Sequence, residues 1–263
     1  MPGLVLTAAL VFLPLVTSVW QAFSVVEGGQ HAFGWIGDNP VYLRIMWRTI
    51  KFSALVALCC LVIGYPYAYL VATTSERARS VLLLLVVLPF WISMLVRIFA
   101  WFIALQPSSV LPDALARVGV HHELLGSSTG VMVTMVQLLI PFMLLPLISN
   151  MRGIDTALMQ AAASLGASPV KQFLTVFLPL SLPGVSAGLL LVFISSLGFY
   201  LAPALIGSPT NALLAQSIYQ QVGQLLNFGR GSALATMLLV ATFLCLILFM
   251  LLRKLGHALS RRI

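Results

Sequence analysis

The sequence predicts an all-α fold that crosses a membrane several times, and its composition is the first reason. Of its 263 residues, 60% are hydrophobic and only 8% are charged, whereas a soluble domain carries about 25% charged residues. Its 14 basic and 6 acidic residues give a net charge of +8 and are scattered through apolar runs. This composition excludes a disordered, a collagen-like or a nucleic-acid-binding protein.

The second reason is the length of the apolar runs. A bilayer core requires about 20 residues in helical form. The first run could also be a signal peptide, but it lacks a basic start and a small-residue cleavage site, so we assign it to the membrane. The sequence therefore predicts one transmembrane domain, 1–263, with six spans at residues 3–23, 52–73, 81–105, 129–149, 180–206 and 232–252.

The positions of lysine and arginine predict that both termini face the cytoplasm. The inner side then carries the larger basic group: Arg77, Arg79, Arg152, Lys171, Arg253, Lys254, Arg261 and Arg262. The outer side carries the smaller one: Arg44, Arg48, Lys51, Arg117 and Arg230. Asn39-Pro40 is typical of a helix start, and Arg44, Arg48 and Lys51 then share one face. We expect an amphipathic helix there, at the outer surface of the bilayer, leading into the second span.

The segment 150–179, between the fourth and fifth predicted spans, is too polar to enter lipid as a whole. Asp155 is a capping residue ahead of an alanine-rich helix, and Gly166 supplies its stop. Ser168-Pro169 begins a second helix, which is expected to run to Pro179. The small residues of the first helix allow close approach of another protein, so the segment is either a docking surface for a cytoplasmic partner or a hairpin lying on the membrane.

A motif with long spacing lies in this segment. Gln160-Ala161-Ala162 is followed by Gly166 and then by Val176-Phe177-Leu178-Pro179. This pattern resembles the EAA motif of ABC-importer permeases, which lies before the penultimate span. Gln160 stands where that family has Glu, and it keeps the size of Glu but not its charge. The resemblance implies contact with ATPase subunits through Asp155, Gln160, Ala161, Ala162, Gly166 and Pro179.

The run from Leu88 to Trp101, LPFWISMLVRIFAW, is similar to the third span of spermidine/putrescine permease subunits, especially the PotB-like ones. This resemblance covers nearly the whole chain. It implies a type I ABC-importer permease of the bacterial inner membrane that moves polyamines. The implied partners are ATPase subunits, a second permease subunit in a homodimer or a heterodimer, and a periplasmic substrate-binding protein. No cofactor is implied.

The sequence lacks the motifs of three other classes of protein: an ATPase, an ion-coupled carrier and an intramembrane protease. The sequence contains no G-x-x-x-x-G-K-[ST] motif, so we expect no ATPase activity of its own and assign hydrolysis to a separate subunit. No Asp or Glu lies in a predicted span, which disfavours an ion-coupled carrier, and no embedded His or Asp accompanies Ser195 and Ser196, which disfavours an intramembrane protease. Within the importer class, an opine, an amino-acid derivative, a phosphonate or iron is an alternative cargo.

Arg97 is the one charge well inside a predicted span. Its side chain either reaches the headgroups, pairs between helices, or lines a pathway. Aromatic rings in the third and fifth spans hold cations weakly, or pack against lipid and core. We take the third and fifth spans as candidate pathway walls, with these candidate residues: Trp91, Ser93, Arg97, Trp101, Ser195, Ser196, Phe199 and Tyr200.

Two further groups carry no predicted site. His121-His122-Glu123 contains metal-ligating residue types, but adjacent residues seldom form a closed ligand set, so we expect a solvated loop and no metal. Cys59, Cys60 and Cys245 lie in apolar runs and are expected to pack as small hydrophobic residues without a disulfide.

Overall fold

In a computed structural model of the chain, the structure describes residues 2–23, 31–117 and 123–260. The described part is helical, with no β-strand in it. Its α-helices are α1 Pro2–Ala22, α2 Ala32–Asp38, α3 Val41–Thr73, α4 Glu76–Val87, α5 Met94–Ala104, α6 Val110–Arg117, α7 Ser128–Arg152, α8 Thr156–Ser164, α9 Pro169–Gln172, α10 Leu178–Leu197, α11 Leu201–Ile206, α12 Leu214–Tyr219 and α13 Phe228–Ser260.

The membrane-crossing helices agree with the predicted fold class. Helices α3, α7, α9 joined to α10, and the Phe228–Leu251 part of α13 are each long and apolar enough to span a bilayer. Helix α4 with the following 3₁₀ turn and α5 make a fifth candidate, bent by 95°. Helix α1 covers the first predicted span with 21 residues. The all-α membrane fold is confirmed, whereas the sixth span stays a prediction.

The third predicted span, 81–105, is not one straight helix. A 3₁₀ turn at Leu88–Trp91 follows α4, and the backbone is then extended at Ile92 (ψ 130°) and Ser93 (ψ 134°) before α5 begins. Pro89 lies at the start of this turn and has no N–H to continue the α-helical hydrogen bonds. The result is a broken span or a re-entrant loop.

Two other boundaries also differ from the prediction. The fifth span was expected at 180–206, but the helix in this region runs from Pro169 to Leu197, and residues 201–206 form the separate helix α11. The predicted outer helix is present as the first part of α3. This helix begins at Val41, two residues after Asn39, and the Asn39 amide donates to the Trp35 carbonyl (2.8 Å) at the end of α2.

The chain forms two compact units. The first contains Met1–Lys51, Leu197–Ala204 and Ser208–Ile263. Its core is built from Ala22 of α1 and from buried residues of α2, α12 and α13. Helix α1 packs against α13. The Arg48 guanidinium donates to the carbonyls of Thr210 and Ala212, and the Thr49 hydroxyl accepts from the Leu214 N–H (2.9 Å). These bonds attach α3 to the chain that precedes α12.

The second unit contains Phe52–Ser196 and Leu205–Gly207. Its most buried span is α7, 61% of whose apolar stretch is buried, whereas α3 has 33% and the span from Pro169 to Leu197 has 28%. Helix α10 comes very close to α7, since a Cβ added at Gly188 would lie 2.6 Å from the Met143 sulfur and one at Gly184 would lie 2.7 Å from the Asn150 Cβ. Glycines four apart share one helix face, and this spacing lets membrane helices approach closely.

Candidate functional site

Helix α8 begins and ends at the residues that the sequence predicted. The Asp155 carboxylate accepts a hydrogen bond from the Ala157 N–H (2.9 Å). At the other end Gly166 has a φ of +81°, a conformation that costs glycine little. The N–H of Gly166 donates to the Ala163 carbonyl (2.9 Å) and that of Ala167 to the Ala162 carbonyl (3.1 Å), which is the Schellman motif. The predicted start and stop are confirmed.

The surface of α8 is open. No residue of the helix is buried. Gln160 and Ala161 are exposed, Ala162 is half-buried, and the apolar side chain of Leu165, just after the helix, is 89% exposed. This surface is available for contact with a protein or a membrane. Five of the six coupling candidates, Asp155, Gln160, Ala161, Ala162 and Gly166, lie on this one accessible element and its ends.

The second helix of the segment starts as predicted but does not end at Pro179. Its cap is Ser168, whose hydroxyl accepts from the Lys171 N–H (3.4 Å). Residues Phe173–Phe177 then form a π-helical turn, and α10 continues from Leu178. A proline in a helix lacks an N–H and crowds the preceding turn, and the wide turn lies just before Pro179. As a result, α9, the π turn and α10 form one continuous span.

Four aromatic rings join the π turn to α3, and the sequence did not single out the two tyrosines. The Tyr69 ring is nearly perpendicular to Phe173 (centroids 5.5 Å apart) and to Phe177 (5.0 Å). The Tyr65 ring is also perpendicular to Phe173 (6.2 Å), and its hydroxyl forms a hydrogen bond with the Ser181 hydroxyl (2.9 Å). The signal in the sequence was the spacing of four residues between the two tyrosines and between the two phenylalanines. This spacing places both members of each pair on one helix face.

The pathway candidates of the third predicted span are divided by the bend. Trp91 ends the 3₁₀ turn and is 88% exposed, and Ser93 precedes α5 without a capping hydrogen bond from its side chain. Trp101 donates from its indole nitrogen to the Gln137 amide oxygen (3.2 Å), which attaches α5 to α7. Arg97 lies one turn before Trp101 on the same face, half-buried, and its Nε has no hydrogen-bond partner among the described residues.

The remaining pathway candidates lie at the end of α10 and after it. Ser195 is half-buried, and Ser196 is fully buried with no hydrogen-bond partner for its hydroxyl in the described part of the chain. Phe199 and Tyr200 are half-buried and belong to the first unit. There the Tyr200 ring stacks on Tyr219 (5.1 Å), a partner that the sequence did not indicate.

No metal centre is built from the residues that the structure describes, since no three His, Cys, Asp or Glu side chains lie together there. His121 and His122 lie outside the described residues. The three cysteines are free thiols, and the Cys60 thiol is buried and contacts the Val136 carbonyl at 3.7 Å.

A comparison with protein families decides the class of the chain. The model of the family described as "Binding-protein-dependent transport system inner membrane component" matches residues 61–262. The chain belongs to this family. It is therefore a multi-pass inner-membrane component of a binding-protein-dependent transport system, and the matched region holds α8, the aromatic rings that contact the π turn, and all eight pathway candidates.

Individual relatives agree with this family. The chain is 33% identical over 248 residues to "Spermidine/putrescine transport system permease protein PotB" of Haemophilus influenzae, covering 93% of this chain and 85% of the relative. It is 31% identical over 214 residues to the protein of the same name from Escherichia coli, covering 80% of this chain and 78% of the relative. Family membership and the resemblance to PotB-like permeases are thus confirmed.

Solved structures show that the fold of this inner-membrane component is shared. A bacterial alginate ABC transporter in complex with an alginate pentasaccharide-bound periplasmic protein matches with a TM-score of 0.76 at 17% identity, over 94% of this chain and 90% of that one. The MetNI methionine ABC transporter in an inward-facing conformation matches with a TM-score of 0.57 at 20% identity, over 89% and 98% of the two chains.

Proposed function

We propose that the chain is the translocation subunit of an ATP-driven importer that carries polyamines of the spermidine/putrescine type from the periplasm to the cytoplasm. The observation that carries the proposal is α8, an exposed and doubly capped helix that bears the EAA-like motif. The names of the PotB relatives support the cargo. Since the chain has no P-loop motif, ATP is hydrolysed by a separate subunit.

The partners follow from this function. Helix α8 docks on the ATPase through Asp155, Gln160, Ala161, Ala162 and Gly166, and Pro179 lies where the segment enters α10. A periplasmic substrate-binding protein delivers the cargo, in keeping with the alginate transporter, which was solved in complex with a periplasmic protein bound to an alginate pentasaccharide. A second permease subunit, either another copy of this chain or a homologue, completes the pathway.

The proposed orientation of the chain in the membrane places the docking helix α8 on the cytoplasmic side. The excess of Lys and Arg on the proposed inner side supports cytoplasmic termini. In that orientation α8 faces the ATPase, and Arg97 and Trp101 belong to α5, the outer part of the broken span.

The pathway itself binds the cargo weakly. No Asp or Glu lies in a predicted span, so a polyamine meets no fixed carboxylate there. Aromatic rings such as Trp91 and Trp101 offer it contacts of about 0.5–2 kcal/mol each. Arg97 repels a cation at close range. Selection among solutes then depends mainly on the delivery protein.

The docking assignment is tested by changing the end of α8. A Gly166→Val substitution forces a β-branched residue to a φ of +81°, which costs about 1–2 kcal/mol. We expect roughly 5- to 30-fold less ATPase subunit to co-purify with the variant. Gly166→Asn is the conservative control because Asn tolerates this conformation. Gly153→Ala is the matched control, since Gly153 ends α7 with a φ of −81°.

Three outcomes decide the proposal. Equal recovery of the ATPase with Gly166→Val and with the wild type would show that α8 is not the docking element. ATP-dependent uptake of radiolabelled spermidine by the assembled complex supports the assignment of a polyamine cargo. Uptake of a different solute alone would show that the cargo is wrong but that the chain is still part of an importer. Uptake in cells that lack the ATPase would favour an ion-coupled carrier.

A further inference from the structure

A docking helix transmits force only if something rigid connects it to the spans. Helix α8 packs against α9 and against the π turn. The Gln172 amide donates to the Ala167 carbonyl (2.8 Å), which closes the corner between α8 and α9. A displacement of α8 therefore reaches the π turn at Phe173–Phe177 first.

The π turn is the irregular point of an otherwise continuous span. Its hydrogen bonds join residues five apart, as in the bond from the Leu178 N–H to the Phe173 carbonyl. Such wide turns interrupt the regular α-helical hydrogen bonding. Without lateral support, a force applied at α8 would bend the span here instead of moving it.

Lateral support comes from an aromatic cluster, which we define as Tyr65, Tyr69, Phe173 and Phe177. Phe173 and Phe177 are stacked (5.8 Å, 17°), and Tyr69 meets both of them at nearly right angles (89° and 88°). Perpendicular rings at 4.5–7 Å are a favoured arrangement, worth about 0.5–1.5 kcal/mol per pair beyond the burial of apolar area. The cluster spans the whole π turn, from its first residue to its last.

A buried hydrogen bond fixes the same contact one turn further along α10. The Ser181 hydroxyl donates to the Leu178 carbonyl (2.8 Å). Because its single proton is used there, the Tyr65 hydroxyl is the donor in the 2.9 Å bond between the two side chains. Ser181 is fully buried, so no water replaces Tyr65 as the donor to its oxygen if this bond is lost.

We propose that Tyr65 and Tyr69 are positioning residues that join α3 to the π turn, so that a displacement of α8 moves α3 and the start of α10 as one body. Tyr69 supports the turn itself and Tyr65 supports the helix just after it. The inference rests on the proposed function, since it assigns the route by which force from the ATPase reaches the second predicted span.

The test compares transport with ATP hydrolysis in the assembled complex. The chain is reconstituted in proteoliposomes with its ATPase, its second permease subunit and its delivery protein, and spermidine uptake and ATP hydrolysis are measured together. For Tyr69→Leu we expect the ratio of spermidine transported to ATP hydrolysed to fall about fivefold or more, as two ring contacts are lost. ATP hydrolysis should stay within about twofold, because α8 and its caps are intact.

Two substitutions separate positioning from general damage. Tyr69→Phe keeps the ring and should keep the wild-type ratio. Tyr67→Leu is the matched control, because Tyr67 lies on the same helix between the two cluster tyrosines and its hydroxyl donates to the Leu82 carbonyl (2.8 Å). An equal fall of the ratio in Tyr67→Leu, or an unchanged ratio in Tyr69→Leu, would overturn the inference.

A cross-linked pair of cysteines tests the proposal if the Tyr69→Leu chain does not assemble into the complex. Tyr69→Cys and Phe173→Cys are combined in a chain with Cys59→Ala, Cys60→Ala and Cys245→Ala, and only assembled complexes are assayed. The free thiols should uncouple transport, and joining them with a short bismaleimide should restore the ratio. A ratio that the cross-link leaves low, or that is normal before cross-linking, contradicts the proposal.

Failure of this inference is distinct from failure of the proposed function. If the wild-type complex shows no ATP-driven spermidine uptake, the proposed function is wrong. If the wild type transports, but uptake and hydrolysis fall in parallel in Tyr69→Leu, only the positioning role is wrong.

Discussion

Helix α8 and the contact between α7 and α10 differ in almost every physical respect, although they are neighbours in the chain. No residue of α8 is buried, and hydrogen bonds within a few residues of each other close both of its ends. In contrast, α7 is the most buried span, and α10 reaches it through Gly184 and Gly188, where no side chain fits.

This difference separates two kinds of dependence. The ends of α8 depend on residues within the same short segment, so a change there should alter the helix and its docking but leave the spans intact. The contact between α7 and α10 depends on the shape of two spans at once, so a change there should affect the whole unit. The predictions that follow compare these two regions, and the last extends the comparison to the bent span.

The largest effect is expected at Gly188. A Gly188→Val substitution puts atoms where a Cβ alone would lie 2.6 Å from the Met143 sulfur and 3.1 Å from the Met143 carbonyl oxygen. Overpacking of this kind costs about 2–3 kcal/mol, and here the backbone carbonyl cannot move aside as a side chain can. Thermal unfolding of the purified chain in detergent should show a clearly lower midpoint.

Gly198→Ala is the control for this prediction, since nothing lies within 4 Å of a Cβ added there, and its midpoint should stay close to that of the wild type. A normal midpoint for Gly188→Val would show that the close approach of α7 and α10 is not needed for stability.

A smaller and local effect is expected at Asp155. Asp155→Ala removes the hydrogen bond to the Ala157 N–H, and loss of a helix cap costs about 1 kcal/mol. The first turn of α8 should exchange its amide hydrogens several-fold faster, and less ATPase should co-purify, while the unfolding midpoint hardly changes because α8 is exposed. Asp155→Asn keeps a capping side chain, so the amide exchange of the first turn should match that of the wild type. A midpoint lowered as far as in Gly188→Val would mean that α8 supports the spans.

The smallest effect is expected on the free energy of unfolding when two tryptophans of the bent span are compared. Trp101→Phe removes the hydrogen bond to Gln137 and should lower the free energy of unfolding by about 0.5–1 kcal/mol. Trp91→Phe should change it by much less, because Trp91 is 88% exposed and the structure shows no hydrogen bond from its indole among the described residues. Denaturant titration of both variants checks this, and equal losses would place Trp91 in a packed contact.

The sequence predicted the fold class and the ends of α8 correctly, but it missed the form of the third span. Apolar composition shows that a segment enters the membrane and does not show whether it bends there. Pro89 was visible in the sequence, yet the bend also requires extended backbone at Ile92 and Ser93. The helix at Pro179 shows the opposite case, because a π turn accommodates a proline that was expected to end it. The coupling and pathway roles stay predictions.

The sequence by itself determined that the chain has an all-α membrane fold and where α8 begins and ends, because hydrophobicity and helix capping act on residues that lie close together in the chain. Only the tertiary structure decided that Tyr65 and Tyr69 contact the π turn, that Gly188 lies against Met143, and that Trp101 pairs with Gln137. Each of these contacts joins residues on different helices, and their meeting depends on how whole helices pack, which no local pattern specifies.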